Sequence, residues 1–123
     1  MDLIKFTIPL KPVTKKNSQE IRINARTRKP FVAQSQRYRE YEEAAVLFLK
    51  PLKIDYPVNV KAVYYMSTCR RVDLINLHSA LHDVLVKGEV VKDDNSKIIV
   101  STDGSHVEYD KENPRTEVEI RRV

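Results

Sequence analysis

The chain has a single cysteine, Cys69, in 123 residues. It can form no internal disulfide, which fits a reducing compartment, and no Cys/His spacing of the zinc-binding kind occurs. Cys69 adjoins basic residues but has no evident base beside it, which argues against a thiol nucleophile. No segment approaches the ~18 apolar residues that a membrane span needs. The opening residues, Met1-Asp2-Leu3-Ile4-Lys5-Phe6, lack the apolar run of a secretory leader. Repeats and low-complexity tracts are also missing. These absences set the expectation of a cytoplasmic protein with no membrane partner.

A hydrophobic share of 41% and a charged share of 32% suit one globular domain over residues 1–123, long enough to bury a core without a staple. The charge is unevenly spread. Residues 1–72 carry 15 Lys and Arg against 6 Asp and Glu, whereas residues 73–123 carry 7 against 11. Between residues 11 and 39, Glu20 stands as the sole acid among Lys11, Lys15, Lys16, Arg22, Arg26, Arg28, Lys29, Arg37 and Arg39. Such a block favours a polyanion through counterion release; the competing reading is a solvated surface loop.

Period-two alternation marks strands at Ile4-Phe6-Ile8, at Val58-Val60-Ala62-Tyr64-Met66 and at Thr116-Val118-Ile120, each with one wet face. Lys97 to Thr102 reads as a further strand closed by the turn pair Asp103-Gly104. Residues 10–33 read as an irregular basic arm with a short hairpin through Ile21-Asn24 and Pro30-Val32. Ser35 can cap a helix that runs to about Lys50, where Pro51 stops it, with Tyr38, Tyr41, Ala45, Phe48 and Leu49 on one face. A second helix from Asp73 to about Val86 turns Leu74, Leu77, His78, Leu81 and Leu85 inward and ends at Lys87-Gly88. The pattern predicts an α+β fold: a mixed, largely antiparallel sheet with two helices packed on one side.

The chemistry concentrates in Arg70-Arg71-Val72-Asp73-Leu74-Ile75-Asn76-Leu77 and in Val91-Lys92-Asp93-Asp94-Asn95. Asp73 and Asn76, three apart, share a helix side away from Leu77 and Leu81. Taken singly, Asp73 reads as a helix cap and Asp93-Asp94-Asn95 as a solvated turn. Taken together, a turn returning to the helix start would bring carboxylates to one place, and two of them suffice for a magnesium ion that keeps several waters. Arg70 and Arg71 add phosphate-binding charge beside free helix N–H groups. His78 reads as a core residue, His82 and His106 have no ligand-spaced partner, and one of Tyr64 and Tyr65 must face the core.

These motifs, in this order, resemble the RusA-type Holliday-junction resolvases. The resemblance spans nearly the whole chain: the opening strand and basic loop (Pro12 to Ser18), the Tyr-rich helix (Tyr38, Tyr41), the Arg-Arg-x-Asp-Leu-x-Asn-Leu element and Asp93-Asp94. It implies a homodimer that binds branched DNA, four-way junctions above all, and makes paired cuts dependent on Mg²⁺, for which Mn²⁺ can substitute. By motif position it implies Asp73, Asp94 and Asn76 as catalytic residues. Asp73, Asp94 and Asp93 are the metal ligands on this reading, and Lys15, Lys16, Asn17, Arg22, Arg70 and Arg71 the DNA contacts. Two departures stand out. Ile75 replaces a second aspartate and Ser79 replaces a supporting lysine, so the alternative is an inactive DNA-binding relative.

Overall fold

The computed structural model describes residues 3–15, 19–34 and 36–123. Lys16, Asn17 and the expected cap Ser35 lie outside them. Strand β1 (Leu3–Ile8) leads into the basic arm, whose hairpin is β2 (Gln19–Ile23) and β3 (Pro30–Gln34). Helix α1 (Gln36–Ala45) follows, then β4 (Val58–Met66), α2 (Leu74–Lys87), β5 (Ile99–Ser101), β6 (His106–Tyr109) and β7 (Arg115–Arg122).

The long strand β4 is the axis of the main sheet. On one edge it pairs antiparallel with β7, from Val58–Arg122 to Tyr65–Arg115, and β7 pairs antiparallel with β1. Its other edge is shared in parallel by β5, opposite Val58 and Asn59, and β6, opposite Val63 to Met66. The sheet is mixed, as expected, with two of its four pairings parallel. Strand β6 was not expected. All four of its residues are exposed, so it carries no buried alternation to read.

Buried Asn59 makes the step from β5 to β6 possible. Its Oδ1 accepts from Ser101 Oγ at 2.6 Å and from the Asp103 N–H at 2.8 Å, while its Nδ2 donates to the Asp103 carbonyl at 3.2 Å. The Ala62 N–H, left between the two short strands, donates to Ser105 Oγ at 3.0 Å. Gly104 turns the chain at φ +88°, in the left-handed region that favours glycine.

Both helices cover the same sheet face. Tyr38, Tyr41 and Ala45 of α1 and Leu77, Leu81, Val84 and Leu85 of α2 join Val58, Val60, Ala62, Tyr64, Val118 and Ile120 in one buried cluster. Helix α1 is shorter than predicted: it ends at Ala45 and tightens into a 3-10 turn, Val46–Phe48, leaving Phe48 45% exposed and Leu49 half-buried. Gly88 ends α2, but Glu89 is the residue that takes the left-handed φ of +59°. At Gly88 the constraint is closeness, since a Cβ there would come within 2.7 Å of Leu49 Cδ1.

His78 is in the core, as expected. Its Nδ1 is 2.7 Å from the Tyr64 hydroxyl and its ring stacks on His82, centroids 5.6 Å apart. Burial, then the neighbouring His82, lowers the His78 pKa to about 4; burial lowers His82 as well, against a raising effect of Asp83. A histidine held neutral by the fold contributes stability that is fully present above its unfolded pKa of ~6.5 and lost as pH falls toward the folded value. Denaturant midpoints should therefore report a loss of roughly 2 kcal/mol from His78 between pH 7.5 and pH 5, at ~1.36 kcal/mol per unit. In His78→Leu that acid-side loss should disappear. Stability at pH 7.5 should also fall, because Tyr64 loses its partner. An undiminished acid sensitivity in this variant would refute the assignment.

Candidate functional site

Strand β4 ends at Met66, and residues 67–73 carry the chain to the start of α2. This connection and the basic arm enclose a cleft of about 280 Å³, lined by Lys11, Arg37, Met66, Arg70, Arg71 and Val72 among others. Four of these are cations. The buried stretch Pro12-Val13-Thr14 forms its floor, which explains why the arm is anchored here. Of the expected DNA contacts, Arg70 and Arg71 face this cleft. Lys11 and Arg37 join them from elsewhere in the chain; the sequence marked both only as part of the basic block.

Asp73 stands at the cleft's edge as the N-cap residue of α2, with extended φ/ψ of −84° and 124°. It does not serve as a side-chain cap. Its carboxylate makes no capping hydrogen bond, so the simplest sequence reading of this residue is not what the fold uses. The backbone carbonyl of Asp73 accepts from the Leu77 N–H at 3.1 Å, and Oδ2 accepts from Asn76 Nδ2 at 3.2 Å. The first turn of α2 contains no acid, so among the described residues the only carboxylate at this helix end is that of Asp73 at the N-cap. Ile75, in that turn, is 78% exposed.

The acidic turn is fixed from both sides. Before it, Ile54 N–H donates to the Val90 carbonyl and Lys92 N–H to the Ile54 carbonyl. After it, Ile98 and Ile99 donate to the Asn95 carbonyl, each at 3.0 Å. Asp93 is consumed within the turn: Oδ1 accepts from the Asp94 N–H at 2.8 Å and Oδ2 from Asn95 Nδ2 at 3.1 Å. Those bonds, the backbone one first, hold the Asp93 carboxyl below the usual carboxylate range. Asp94 moves the other way. Partial desolvation is the largest cause, followed by a side-chain hydrogen bond with Asp93 and the negative field of Asp83 and Asp93.

Asp83 escaped the sequence reading. It lies on α2 seven residues beyond Asn76, on the same helix stripe, and its carboxylate pairs with Lys15 of the basic arm. Lys15, expected at DNA, is thus engaged with α2. Arg22 lies exposed on β2. The contacts gather Asp73 with Asn76 at the start of α2, and Asp94 with Asp93 and Asp83 further along it. Ten residues of helix separate Asp73 from Asp83, a rise of about 15 Å. Among the described residues, no group of three or more His, Cys, Asp or Glu side chains is placed to hold a metal ion. The donors at the start of α2 are oxygens, the Asp73 carboxylate and the Asn76 amide oxygen, with a basic cleft beside them. That donor set fits a magnesium ion that keeps most of its water, and does not fit a closed all-protein cage.

With this geometry in view, the comparisons are specific. Residues 9–121 match the family profile of the endodeoxyribonuclease RusA, and the chain belongs to that family. It is a family of DNA-cleaving hydrolases, Holliday-junction resolvases that act on branched DNA and are generally dependent on a divalent metal. No curated protein matches the chain. No described helix is long and apolar enough to cross a membrane.

The electrostatics of the turn can be checked by carboxyl ¹³C NMR. Asp94 should titrate above the usual aspartate range and Asp93 below it. In Asp83→Asn the Asp94 midpoint should move down, because one source of negative field is gone. An unmoved midpoint would remove Asp83 from the neighbourhood of Asp94.

Proposed function

We propose that this protein is a magnesium-dependent, structure-selective endodeoxyribonuclease that resolves four-way DNA junctions as a homodimer. The observation that carries the reading is the four-cation cleft beside an aspartate whose carboxylate caps no backbone N–H of the helix. Lys11, Arg37, Arg70 and Arg71 bind the phosphate of a strand laid across the cleft, and the free N–H groups of the first turn of α2 meet its oxygens. Asn76 holds the Asp73 carboxylate in one orientation. Asp73 would hold the cation at the start of α2, while Asp94 stands further along the helix beside Asp83 and Asp93 is committed to its turn. When bound, Mg²⁺ or Mn²⁺ would lower the pKa of a water and offset charge developing on the phosphate.

The reaction is phosphodiester hydrolysis: the water oxygen bonds to phosphorus, the bond to one bridging oxygen breaks, and that oxygen takes up a proton. The arginines neutralise the non-bridging oxygens as the phosphate becomes pentacovalent. A four-way junction has approximate two-fold symmetry, so a two-fold dimer presents one site to each of two opposed strands. Cuts in strands of like polarity follow from that symmetry.

A second reading, a DNA-binding relative without catalysis, has a specific observation behind it: an exposed isoleucine at position 75 and, among the described residues, no group of three His, Cys, Asp or Glu side chains placed to hold a metal ion. Incubation with a synthetic four-way junction in Mg²⁺, then in EDTA, separates the two. Paired nicks that EDTA abolishes support the nuclease. Tight binding with no nick in Mg²⁺ or Mn²⁺ supports the second reading. In Asp73→Asn, cutting should fall by about 10²-fold or more while junction affinity holds within a few-fold. The double charge reversal Arg70→Glu with Arg71→Glu should weaken binding and flatten the plot of log K against log[salt] by roughly 1.8, at ~0.9 per phosphate contact. An unchanged slope would take both arginines off the DNA.

A further inference from the structure

We propose that the β2–β3 hairpin is a wedge that enters the open centre of branched DNA and packs apolar side chains on the faces of unstacked bases. The proposal rests on the DNA-binding reading above and names the residues that tell a branch from a duplex.

Among its described side chains the hairpin has no core of its own. Every residue from Ile21 to Phe31 is exposed, including Ile21 at 76%, Ile23 at 70% and Phe31 at 44%. The register sets Ile23 opposite Pro30 and Arg22 opposite Phe31, so Ile21 and Ile23 share one face of β2 and Arg22 and Phe31 the other. A two-stranded ribbon wet on both faces is marginal in water, and clustered exposed apolar side chains mark a surface that another molecule covers.

The charge on the same ribbon identifies that molecule. Residues 21–31 contain four cations, Arg22, Arg26, Arg28 and Lys29, and no acid. The turn is built to present three of them. Asn24 Oδ1 accepts from the Arg26 N–H at 2.8 Å and the Thr27 N–H at 3.1 Å; the Arg28 N–H donates to the Asn24 carbonyl at 2.7 Å. Arg28 sits at φ +58°. Arg26, Arg28 and Lys29 therefore crown a defined tip, with the isoleucines and Phe31 behind it.

Cations at the tip and hydrocarbon behind them complement a phosphate backbone with bare base faces beyond. An intact duplex offers no such surface, because stacking covers the base faces and the groove edges are polar. At a branch point the stack is interrupted, and an aliphatic or aromatic side chain can cover the exposed face. Two copies of this arm facing each other would set four cations against four, which argues against a second copy as the occupant.

The test uses the full chain with Ile21→Ser and Ile23→Ser together. Affinity is measured for an immobile four-way junction and for a duplex of equal length, with 2-aminopurine at the branch as a reporter of unstacking. The wedge predicts a loss on the order of tenfold for the junction, a far smaller change for the duplex, and no change in 2-aminopurine emission where the unsubstituted protein gives one. Should the double variant unfold, Phe31→Ser on the opposite face carries the same readout. Equal junction affinity, or equal losses on both DNAs, overturns the wedge. So does a dimer that dissociates in the variant, which would assign the face to a second copy. If the unsubstituted protein shows no preference for junctions, the nuclease reading and the wedge fall together. If it prefers and cuts junctions and the variants do so equally well, only the wedge falls.

Discussion

Strand β4 is hydrogen-bonded along both edges, and that constraint places the rest of the molecule. One edge is filled by β7, which runs antiparallel to it. The other is filled by two parallel strands, and a parallel neighbour requires a crossover that leaves from the end of β4. Helix α2 is that crossover. Its amino end is therefore fixed beside the last residues of β4, and whatever precedes the helix in sequence is carried there with it. Arg70, Arg71 and Asp73 owe their position to this connection.

The same topology keeps the acids in two groups. The acidic turn lies between the end of α2 and β5, which pairs with the first residues of β4, so Asp94 meets α2 at Asp83 and not at its first residue. Lys15 answers Asp83 and also ties the basic arm to the helix. Without that cation, the Asp83, Asp93 and Asp94 carboxylates would repel one another with less to offset them. Around Asp73 the surplus is of the opposite sign, with four cations in the cleft and one carboxylate at its edge. A phosphate satisfies the first need and a hydrated cation the second, so each ligand improves the site for the other.

Much of this was legible because burial leaves a period. Strands β1 and β7 alternate, β4 keeps Val58, Val60, Ala62 and Tyr64 at period two, and α2 presents Leu77, Leu81 and Leu85 at helical spacing, so their existence and inward faces followed from sequence. What leaves no period could not be read. Strand β6 is exposed on both faces and is set by Asn59 and Ser105, two polar side chains whose partners are far away in sequence. The shortening of α1 arises from Val46-Leu47-Phe48, which fit the expected stripe but tighten into a 3-10 turn instead. Lys11, Arg37 and Asp83 acquire meaning only from what the fold sets beside them. The motif residues were visible singly; their division between the two ends of α2 was not.

The start of α2 breaks several local rules together. A cap of the Asp type contributes about 1 kcal/mol when its carboxylate bonds the first-turn N–H groups, and Asp73 forgoes that bond. Arginines at 70 and 71 stand at the positive end of the helix dipole, where cations are disfavoured. Ile75 exposes hydrocarbon one turn from the core. Each cost is small, and the buried face of α2 can carry them. Their coincidence within six consecutive positions is the informative part, because a helix start selected for stability alone would correct each of them cheaply. An anion seated at the free N–H groups answers the dipole and the arginines together, and a cation at Asp73 answers the carboxylate. The ligands proposed for this site are the ones that relieve the strain it holds without them.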